Sequence, residues 1–337
     1  MITPQPIQYL GAIAAAAVLS YLIIWAIRPL LLRYALATPN ARSSHRLPTP
    51  QGAGIAVIAA TITVSVVVGA WSQLADTTSL TILFGATLFM AAVGLADDLR
   101  AVPILPRLLL QALAAAAVVL TTPDSLRIVS SCPLWIERGL LLLVLTWFVN
   151  LVNFMDGLDL MTAAEVVPVT ATLVLLAGIG SIAPPVAIVA AALCGAMVGF
   201  VPFNRPVAKV FLGDVGSLPI GLLLGWSFLQ LAYEQHLVAA LLLPLYYLTD
   251  ATVTLLRRIV RREAFWKAHR SHFYQRATDN GFTALEVVSR IFMVNIGLAT
   301  LAVATTMSPA LSIKLSLLAT GCASVAVLIY SFVRPRR

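Results

Sequence analysis

"LLLLVLTWFVNLVNFMDGLDLM", residues 140–161, begins as an apolar run and closes with two amides and two carboxylates. The amides are Asn150 and Asn153, and the carboxylates are Asp156 and Asp159. A run this apolar predicts a membrane helix, and charge in hydrocarbon is so unfavourable that intramembrane acids are functional candidates. The stretch therefore predicts a membrane protein in which the polar end of one helix carries the function.

The composition of the whole chain agrees with a membrane protein. Of its 337 residues, 60% are hydrophobic and 11% are charged, and the mean hydropathy is +0.94, whereas soluble domains have about 25% charged residues. A helix needs about 20 apolar residues to cross a bilayer, and we place about eleven such spans. They cover residues 7–32, 52–71, 79–96, 104–121, 138–155, 164–182, 184–201, 216–233, 237–257, 287–307 and 310–332. The predicted fold is one all-α polytopic membrane domain over residues 1–337.

The basic residues predict the orientation of the chain, because Lys and Arg in short loops collect on the cytoplasmic side. No basic stretch precedes the first apolar run, which indicates an uncleaved helix that enters from outside. With eleven spans, only Arg127, Arg138 and Lys314 of the 22 Lys and Arg residues then lie outside. We therefore expect an outer N-terminus, a cytoplasmic C-terminus and a basic inner face. Attraction to anionic lipids suffices to explain this face, and an anionic substrate is the alternative.

All unusual polar clusters fall in the predicted inner loops, near residues 33–51, 97–104, 156–164, 202–216 and 257–286. A transporter places its sites near the bilayer midplane, on broken helices of inverted repeats, and the chain shows no internal repeat. Acids gathered on one surface favour an enzyme with a cytoplasmic substrate. The three cysteines are scattered without metal-ligand spacing and are interpreted as packing residues.

Two pairs of acids have spacings that suit catalysis or metal binding. Asp97 and Asp98 are adjacent at a helix end, so they point about 100° apart and can serve different partners; the alternative is two solvated acids. Asp156 and Asp159 are three apart, as are the two amides before them, so a helical turn presents each pair on one side. Mg²⁺ prefers such hard oxygen ligands with room for water and phosphates. Amides that join helices and acids that cap a turn are the alternative.

"FLGDVGSL", residues 211–218, places Gly213 and Asp214 directly before an apolar helix. Asp is a good N-cap, but a helix N-terminus is also an anion site that glycines allow a phosphate to approach. Because Arg205 and Lys209 lie upstream, phosphate handling is favoured over capping alone. The GxxxxGK[ST] pattern of a P-loop is absent.

The fifth inner loop contains His269 and His272 in the sequence "KAHRSHFYQR", together with Arg270. A zinc pair needs further ligands, and neither HExxH nor a cysteine partner accompanies these histidines. Imidazole and positive charge together fit diphosphate binding, and His45 in the first inner loop is expected to join them. Simple solvation of the loop is the alternative.

Taken in order, these loops resemble the polyprenyl-phosphate N-acetylhexosaminyl-1-phosphate transferases, glycosyltransferase family 4. The matching motifs are "SSHRLPTPQGAGI", "GLADDLR", "NLVNFMDGLD", "FNRPVAKVFLGDVGSLPIG", "PLYYLTDATVTLLRR" and "HRSHFYQR". Each motif alone is weak, but six in the family's order cover nearly the whole chain. The resemblance implies ten or eleven transmembrane helices, Mg²⁺ with Mn²⁺ as a substitute, a nucleotide-sugar donor and an undecaprenyl-phosphate acceptor.

The resemblance also implies roles for individual residues. The residues expected to be catalytic are Asp97, Asp98, Asp156, Asp159 and His272; those expected to ligate the metal are Asp214 and Asp156; those expected to bind substrate are His45, Asn150, Asn153, Asn204, Arg205, Lys209, His269 and Arg270. Asp250 also matches a family position. The chain departs from the family at Leu160, where the motif DGxDG ends in glycine, and after Phe273, where the usual HxHH cluster is incomplete. The second departure resembles the subgroup that initiates O-antigen and related surface glycans.

The expected reaction transfers an N-acetylhexosamine 1-phosphate from a UDP-sugar to undecaprenyl phosphate in the bacterial inner membrane, with release of UMP. The "HRSH" form resembles members that use 6-deoxy sugars. Members of the family often form homodimers, and no nucleic acid is expected as a partner. The alternatives are a proton- or cation-coupled transporter and a noncatalytic lipid-binding scaffold.

Overall fold

The computed structural model describes residues 6–37, 48–72, 77–264 and 269–336. These residues form thirteen helices and one short two-stranded ribbon. The helices are α1 Pro6–Tyr34, α2 Gly54–Trp71, α3 Thr77–Leu99, α4 Ile104–Leu120, α5 Leu134–Met155, α6 Met161–Gly178, α7 Pro184–Asn204, α8 Asp214–Tyr233, α9 Leu237–Leu242, α10 Leu245–Val260, α11 Phe273–Asp279, α12 Ala284–Met307 and α13 Leu311–Val333. The antiparallel ribbon pairs β1, Leu36–Ala37, with β2, Thr49–Pro50.

The all-α polytopic membrane fold is confirmed. Among the described residues, nine helices are long and apolar enough to cross a bilayer, and α4 is a shorter apolar helix. The remaining predicted span, 237–257, is divided into α9 and α10 at Leu243 and Pro244. Proline cannot donate the backbone hydrogen bond of a helix interior, so this span is broken where a continuous helix was expected.

The centre of the bundle is formed by α7 and α8, whose side chains are almost entirely buried. Helix α1 packs along α7, and both α3 and α5 pack along α8. Gly195 and Gly199 of α7 face the backbone of α1, where an added Cβ would collide with the carbonyl groups of Ile13 and Ala17. Small residues allow this close approach of membrane helices.

The predicted inner loops meet at one end of the bundle, which we call the site end. There the β1–β2 ribbon joins the loop before α8, because the amides of Gly52 and Ala53 donate to the Phe211 carbonyl and the Phe211 amide donates to Pro50. The C-terminal segment also ends there, with the Arg336 amide bonded to the Asn280 carbonyl. The described parts of the loops that the sequence assigns to one side of the membrane thus lie together at the site end.

Candidate active site

Asp98, near the end of α3, holds the first turn of α8. Its Oδ1 accepts the Asp214 amide at 2.9 Å, and its Oδ2 accepts the Val215 amide at 3.0 Å. These amides have no partner within their own helix, so an acid at this end is favourable both as an acceptor and against the helix dipole. The sequence offered Asp214 as the cap of its own helix, but the cap is Asp98 from another helix.

Asp97 points to a different set of partners, as expected for adjacent residues on a helix. Its Oδ1 accepts the Val102 amide at 2.7 Å, and its Oδ2 forms a short ion pair with Nη1 of Arg107 on α4. The same guanidinium lies 3.5 Å from Oδ2 of Asp214. Arg107 therefore bridges α3 and α8 at the site end.

Asp214 is bound to the amide-rich end of α5. Its Oδ1 accepts Nδ2 of Asn153 at 2.7 Å, and that amide also lies 2.9 Å from the Ser217 hydroxyl. Asn150, one turn earlier, instead donates to Gln111 of α4 at 2.7 Å and to the Thr146 carbonyl. The structure thus places Asn153 with the acids, while Asn150 joins two helices, which is the alternative given for these amides.

Asp156 follows the last residue of α5 and receives a short hydrogen bond from the Thr162 hydroxyl. Burial raises the pKa of Asp156 to about 6, the Thr162 hydrogen bond opposes the rise, and the charges of Asp98 and Asp159 add to it. Its side chain nevertheless keeps some exposed surface. Asp156 is therefore a carboxylate whose charge is incompletely compensated within the protein.

Asp159 and Asn204 connect the third and fourth inner loops. Oδ2 of the buried Asp159 accepts the Ala208 amide at 3.0 Å, and Oδ1 of Asn204 accepts the Leu160 amide at 2.7 Å. Leu160 has φ 65°, the left-handed conformation that glycine adopts most easily. The loop therefore keeps a glycine-type turn although the expected glycine is replaced. Both polar side chains bind loop backbone here.

His272 lies at the start of α11 and is buried. Its Nδ1 lies 3.2 Å from Oδ1 of Asp250, and its ring centroid is 6.3 Å from that of Phe154 at the end of α5. The Phe154 carbonyl accepts the Tyr274 hydroxyl at 3.1 Å. The ring of His269 lies beside that of His272, tilted by 31° and with centroids 5.0 Å apart. The fifth loop thus reaches the polar end of α5, where the acids lie.

A cavity of about 290 Å³ opens beside this histidine, and basic side chains dominate its wall. The lining residues are Thr254, Arg257, Arg258, Arg261, Glu263, Arg270, Ser271 and Arg276. Arg258 pairs with Glu263 at 2.8 Å, and Arg270 pairs with Asp279 at 3.2 Å. Five arginines and one glutamate leave the wall with net positive charge, which suits an anion.

Two other residues that were predicted to bind substrate lie at the protein surface. Arg205 and Lys209 are exposed on the loop before α8, at the rim of the site end. His45 lies outside the described residues, so its place in the site stays a prediction.

The hydrogen-bond and ion-pair partners of each aspartate indicate whether its charge is available to a divalent cation. Asp98 binds two backbone amides, and Asp97 binds an amide and Arg107. Asp156 and Asp214 instead receive hydrogen bonds from neutral side chains, and the Asp98 carboxylate lies close enough to repel both. Within the four described ranges, no group of three or more His, Cys, Asp and Glu is arranged as a metal site. Each of these two carboxylates is a hard oxygen donor of the kind that Mg²⁺ prefers, and Mg²⁺ fills its other positions with water and substrate phosphates.

Sequence reasoning missed Arg107 and Thr162 as parts of the site. A signal existed for Arg107, because it is the one charged residue in the apolar helix α4, and a charge in such a helix is a functional candidate. Thr162 gave no comparable signal, since its partner Asp156 is identified only by the turn between α5 and α6.

Comparison with known proteins gives one family match and several named relatives. Residues 80–232 match the model of glycosyl transferase family 4. Decaprenyl-phosphate N-acetylglucosaminephosphotransferase of Mycolicibacterium smegmatis is 28% identical, covering 86% of this chain and 80% of that protein. The probable undecaprenyl-phosphate N-acetylglucosaminyl 1-phosphate transferase of Bacillus subtilis is 24% identical, over 84% and 82%. Phospho-N-acetylmuramoyl-pentapeptide-transferase of Neisseria gonorrhoeae is 31% identical over 46% of this chain and 47% of that protein.

Fold and site together define a polytopic helical membrane protein with clustered aspartates at one end of its bundle, beside an arginine-lined cavity. The chain is similar to glycosyl transferase family 4 over residues 80–232, and to polyprenyl-phosphate sugar-phosphate transferases over more than four fifths of its length. The matched residues include all five aspartates that the sequence singled out in the second, third and fourth inner loops.

Proposed function

We propose that this chain is a Mg²⁺-dependent phosphoglycosyltransferase that transfers an N-acetylhexosamine 1-phosphate from a UDP-sugar to undecaprenyl phosphate. The observation that carries the proposal is the contact, at one end of a membrane bundle, between the end of α5 that leads into Asp156 and the loop whose arginines line a cavity. Relatives named as polyprenyl-phosphate transferases of N-acetylglucosamine phosphate support the class of acceptor and the reaction.

In the proposed reaction, an oxygen of the acceptor phosphate forms a bond to the sugar-bearing phosphorus of the donor. The bond from that phosphorus to the bridging oxygen breaks, and UMP leaves with that oxygen. A phosphate monoester has a second pKa of about 6, so the acceptor needs little help to lose its proton. The larger requirement is to bring two anions together, and charge stabilisation is the main protein contribution in such transfers.

The aspartates would meet this requirement by holding a cation. Asp156 and Asp214 would ligate Mg²⁺, which would supply positive charge to the diphosphate when bound. Asn153 holds Asp214 in place, and Arg107 draws Asp97 towards the same carboxylate. Asp98 fixes the start of α8, so its contribution is to position Asp214.

The arginine cavity would receive the donor diphosphate. Arg270 and Ser271 line it directly before His272 in the chain, and Thr254 on its other wall lies 3.3 Å from Asp250, the partner of His272. Guanidinium groups bind phosphate oxygens in bidentate geometry. The arginine wall would therefore bind the diphosphate, and the aspartates would hold the cation that neutralises its charge.

The sugar and the pathway are proposed from the form of the fifth loop. The "HRSH" sequence favours an N-acetylated hexosamine, including 6-deoxy sugars, and a product that initiates an O-antigen type of surface glycan. The bacterial relatives support a place in the inner membrane. The site end would face the cytoplasm, with the N-terminus outside. A reporter fused to the C-terminus should be active only in the cytoplasm, and activity only outside would refute this orientation.

The decisive experiment measures UMP release by purified protein with undecaprenyl phosphate and a panel of UDP-sugars. Activity with an N-acetylated hexosamine is expected; activity only with a non-acetylated sugar would refute the donor, and uptake into liposomes without UMP release would favour a transporter. Binding of undecaprenyl phosphate without any turnover would favour a scaffold. Inversion at the transferred phosphorus would exclude a covalent two-step route, and retention would favour it.

The role of Asp214 is tested by Asp214→Asn across a Mg²⁺ titration. The amide keeps an acceptor for Asn153 but removes the charge that a hard cation requires. We expect at least a loss of about 10²–10³-fold in turnover. Asp124→Asn is the matched control, because Asp124 is exposed on a loop at the opposite end. Near-normal turnover of Asp214→Asn with an unchanged Mg²⁺ midpoint would exclude Asp214 as a ligand.

A further inference from the structure

Asp250 is a fully buried carboxylate on α10, in the helix before the loop that carries His272. Its two oxygens bind the beginning of α11 at three points. Oδ1 lies 3.2 Å from Nδ1 of His272 and 3.0 Å from the amide of Phe273, and Oδ2 accepts the amide of Tyr274 at 3.1 Å. One side chain therefore fixes both the histidine ring and the backbone that follows it.

The carboxylate is well satisfied in spite of its burial. The Tyr246 hydroxyl donates to Oδ2 at 3.1 Å, and the Thr254 hydroxyl donates to Oδ1 at 3.3 Å. With the three bonds to α11, five donors surround two oxygens. A buried charge is tolerated when its lone pairs are filled in this way, and the two backbone amides can only donate, so they require acceptors at both oxygens.

This arrangement determines which nitrogen of His272 is available to a ligand. A carboxylate acceptor at Nδ1 favours the tautomer with the proton on Nδ1, which leaves Nε2 with its lone pair or, in the charged ring, with its own proton. The ring is confined by the Tyr274 ring, 5.7 Å away between centroids, and by those of Phe154 and His269. Among the residues that the structure describes, the titratable groups in contact with the pair include Tyr246, Tyr274 and His269.

We propose that Asp250 is a positioning residue that sets the tautomer and the orientation of His272, so that Nε2 is presented to a substrate phosphate. The inference rests on the proposed function for the role of His272, but the pairing itself is independent of it. Partners that orient a functional histidine through its other nitrogen typically contribute about 10–100-fold, as seen for metal-bound histidines.

The first test is a double-mutant cycle on UMP release with Asp250→Asn and His272→Gln. Asp250→Asn alone should lower kcat/KM by about 10–100-fold. In the His272→Gln background it should change kcat/KM by less than about twofold, because a residue that acts through His272 has nothing left to position. The same loss in both backgrounds would overturn the proposal, as would full activity of Asp250→Asn.

Tyr246→Phe is the matched control, because it removes one hydrogen bond to Asp250 without touching His272. It should keep kcat/KM within about threefold of the wild type. A loss as large as that of Asp250→Asn would mean that general disturbance of this buried site, and not the orientation of His272, lowers activity.

The second test requires no activity and no variant of Asp250. The chain contains four histidines, so the ¹⁵N imidazole resonances of the labelled wild-type protein can be assigned by replacing each with Gln in turn. Neutral His272 should carry its proton on Nδ1. A neutral ring protonated on Nε2 would overturn the inference. If the wild type released no UMP with any donor, the proposed function would fail while this spectrum still decided the pairing.

Discussion

Replacing Gly94 with alanine should separate the two helices that position the aspartates. Gly94 lies one turn before Asp98 on α3, facing the first turn of α8. A Cβ at this position would lie 2.6 Å from the Val215 amide nitrogen and closer still to the Asp214 carbonyl group. Ordinary van der Waals contact begins about 1 Å further out. Backbone cannot rotate away as a side chain does, so α3 must move from α8 by about that distance.

The magnitude follows from the hydrogen bonds that cross this contact. Asp98 binds the Asp214 and Val215 amides at 2.9 and 3.0 Å, and a shift of about 1 Å would stretch both beyond the hydrogen-bonding range. Overpacking costs about 1–3 kcal/mol, and each lost bond to a charged acceptor adds about 1.5 kcal/mol or more. Partial relaxation will absorb some of this, so we expect a destabilisation of about 2–4 kcal/mol. A displacement of about 1 Å at a catalytic group lowers turnover by about 10²-fold.

The control is Gly85→Ala in the same helix, where an added Cβ meets no atom within 4 Å. Both substitutions gain the same helix propensity of about 0.5–1 kcal/mol, so their difference isolates the collision. Thermal unfolding in detergent and UMP release would be measured for both proteins. If Gly94→Ala unfolds at the same temperature as Gly85→Ala and keeps wild-type turnover, the close packing of α3 on α8 does not position the site.

Three further predictions follow from the loops. Burial raises the pKa of Asp156 to about 6, so the metal-free protein should lose stability as pH rises from about 4 to above 6. In EDTA, Asp156→Asn should therefore raise the melting temperature at about pH 7.5 and leave it unchanged at about pH 4. Equal shifts of the melting temperature at the two pH values would contradict this. His272→Ala should reduce UMP release far more than His269→Ala without loss of folded protein, and the reverse order would mean that His269 is the functional histidine. Leu160→Val should unfold at a lower temperature than Leu160→Gly, because a β-branched residue is strained at φ 65°; equal melting temperatures would refute the strain.

Much of the fold could be predicted from the sequence, because a segment that crosses the membrane must be apolar and its composition shows this directly. Apolar runs and the distribution of Lys and Arg depend on each segment alone, and the loops they assign to one side do meet at the site end. The break between α9 and α10 was missed although Pro244 is a local signal for it. Each membrane span can thus be predicted from its own segment, whereas a break within a span depends on single residues such as Pro244.

The sequence singled out several polar residues that the structure brings together, but it did not indicate how they pair. Asp98 caps a helix that begins 116 positions later, and Arg107 joins carboxylates of two other helices. No spacing along the chain indicates which helices will be neighbours. Reasoning from local geometry therefore considered only Asp214, the acid nearest to the helix start, as a possible cap, when the packing of α3 on α8 gives that role to Asp98.

The partners of the aspartates explain why a membrane protein tolerates so many acids at one end of its bundle. Asp97, Asp98, Asp159 and Asp250 each accept at least one backbone amide at the start of a helix or in a loop, so their charge is compensated by the fold itself. Asp156 accepts only a neutral hydroxyl among its described hydrogen bonds, and Asp214 accepts an amide side chain with Arg107 at the longer distance of 3.5 Å. Charge compensated by the fold stabilises the loops and is unavailable to a ligand. The two remaining acids are those whose charge a cation would neutralise, and the same two were assigned to the metal on the family resemblance.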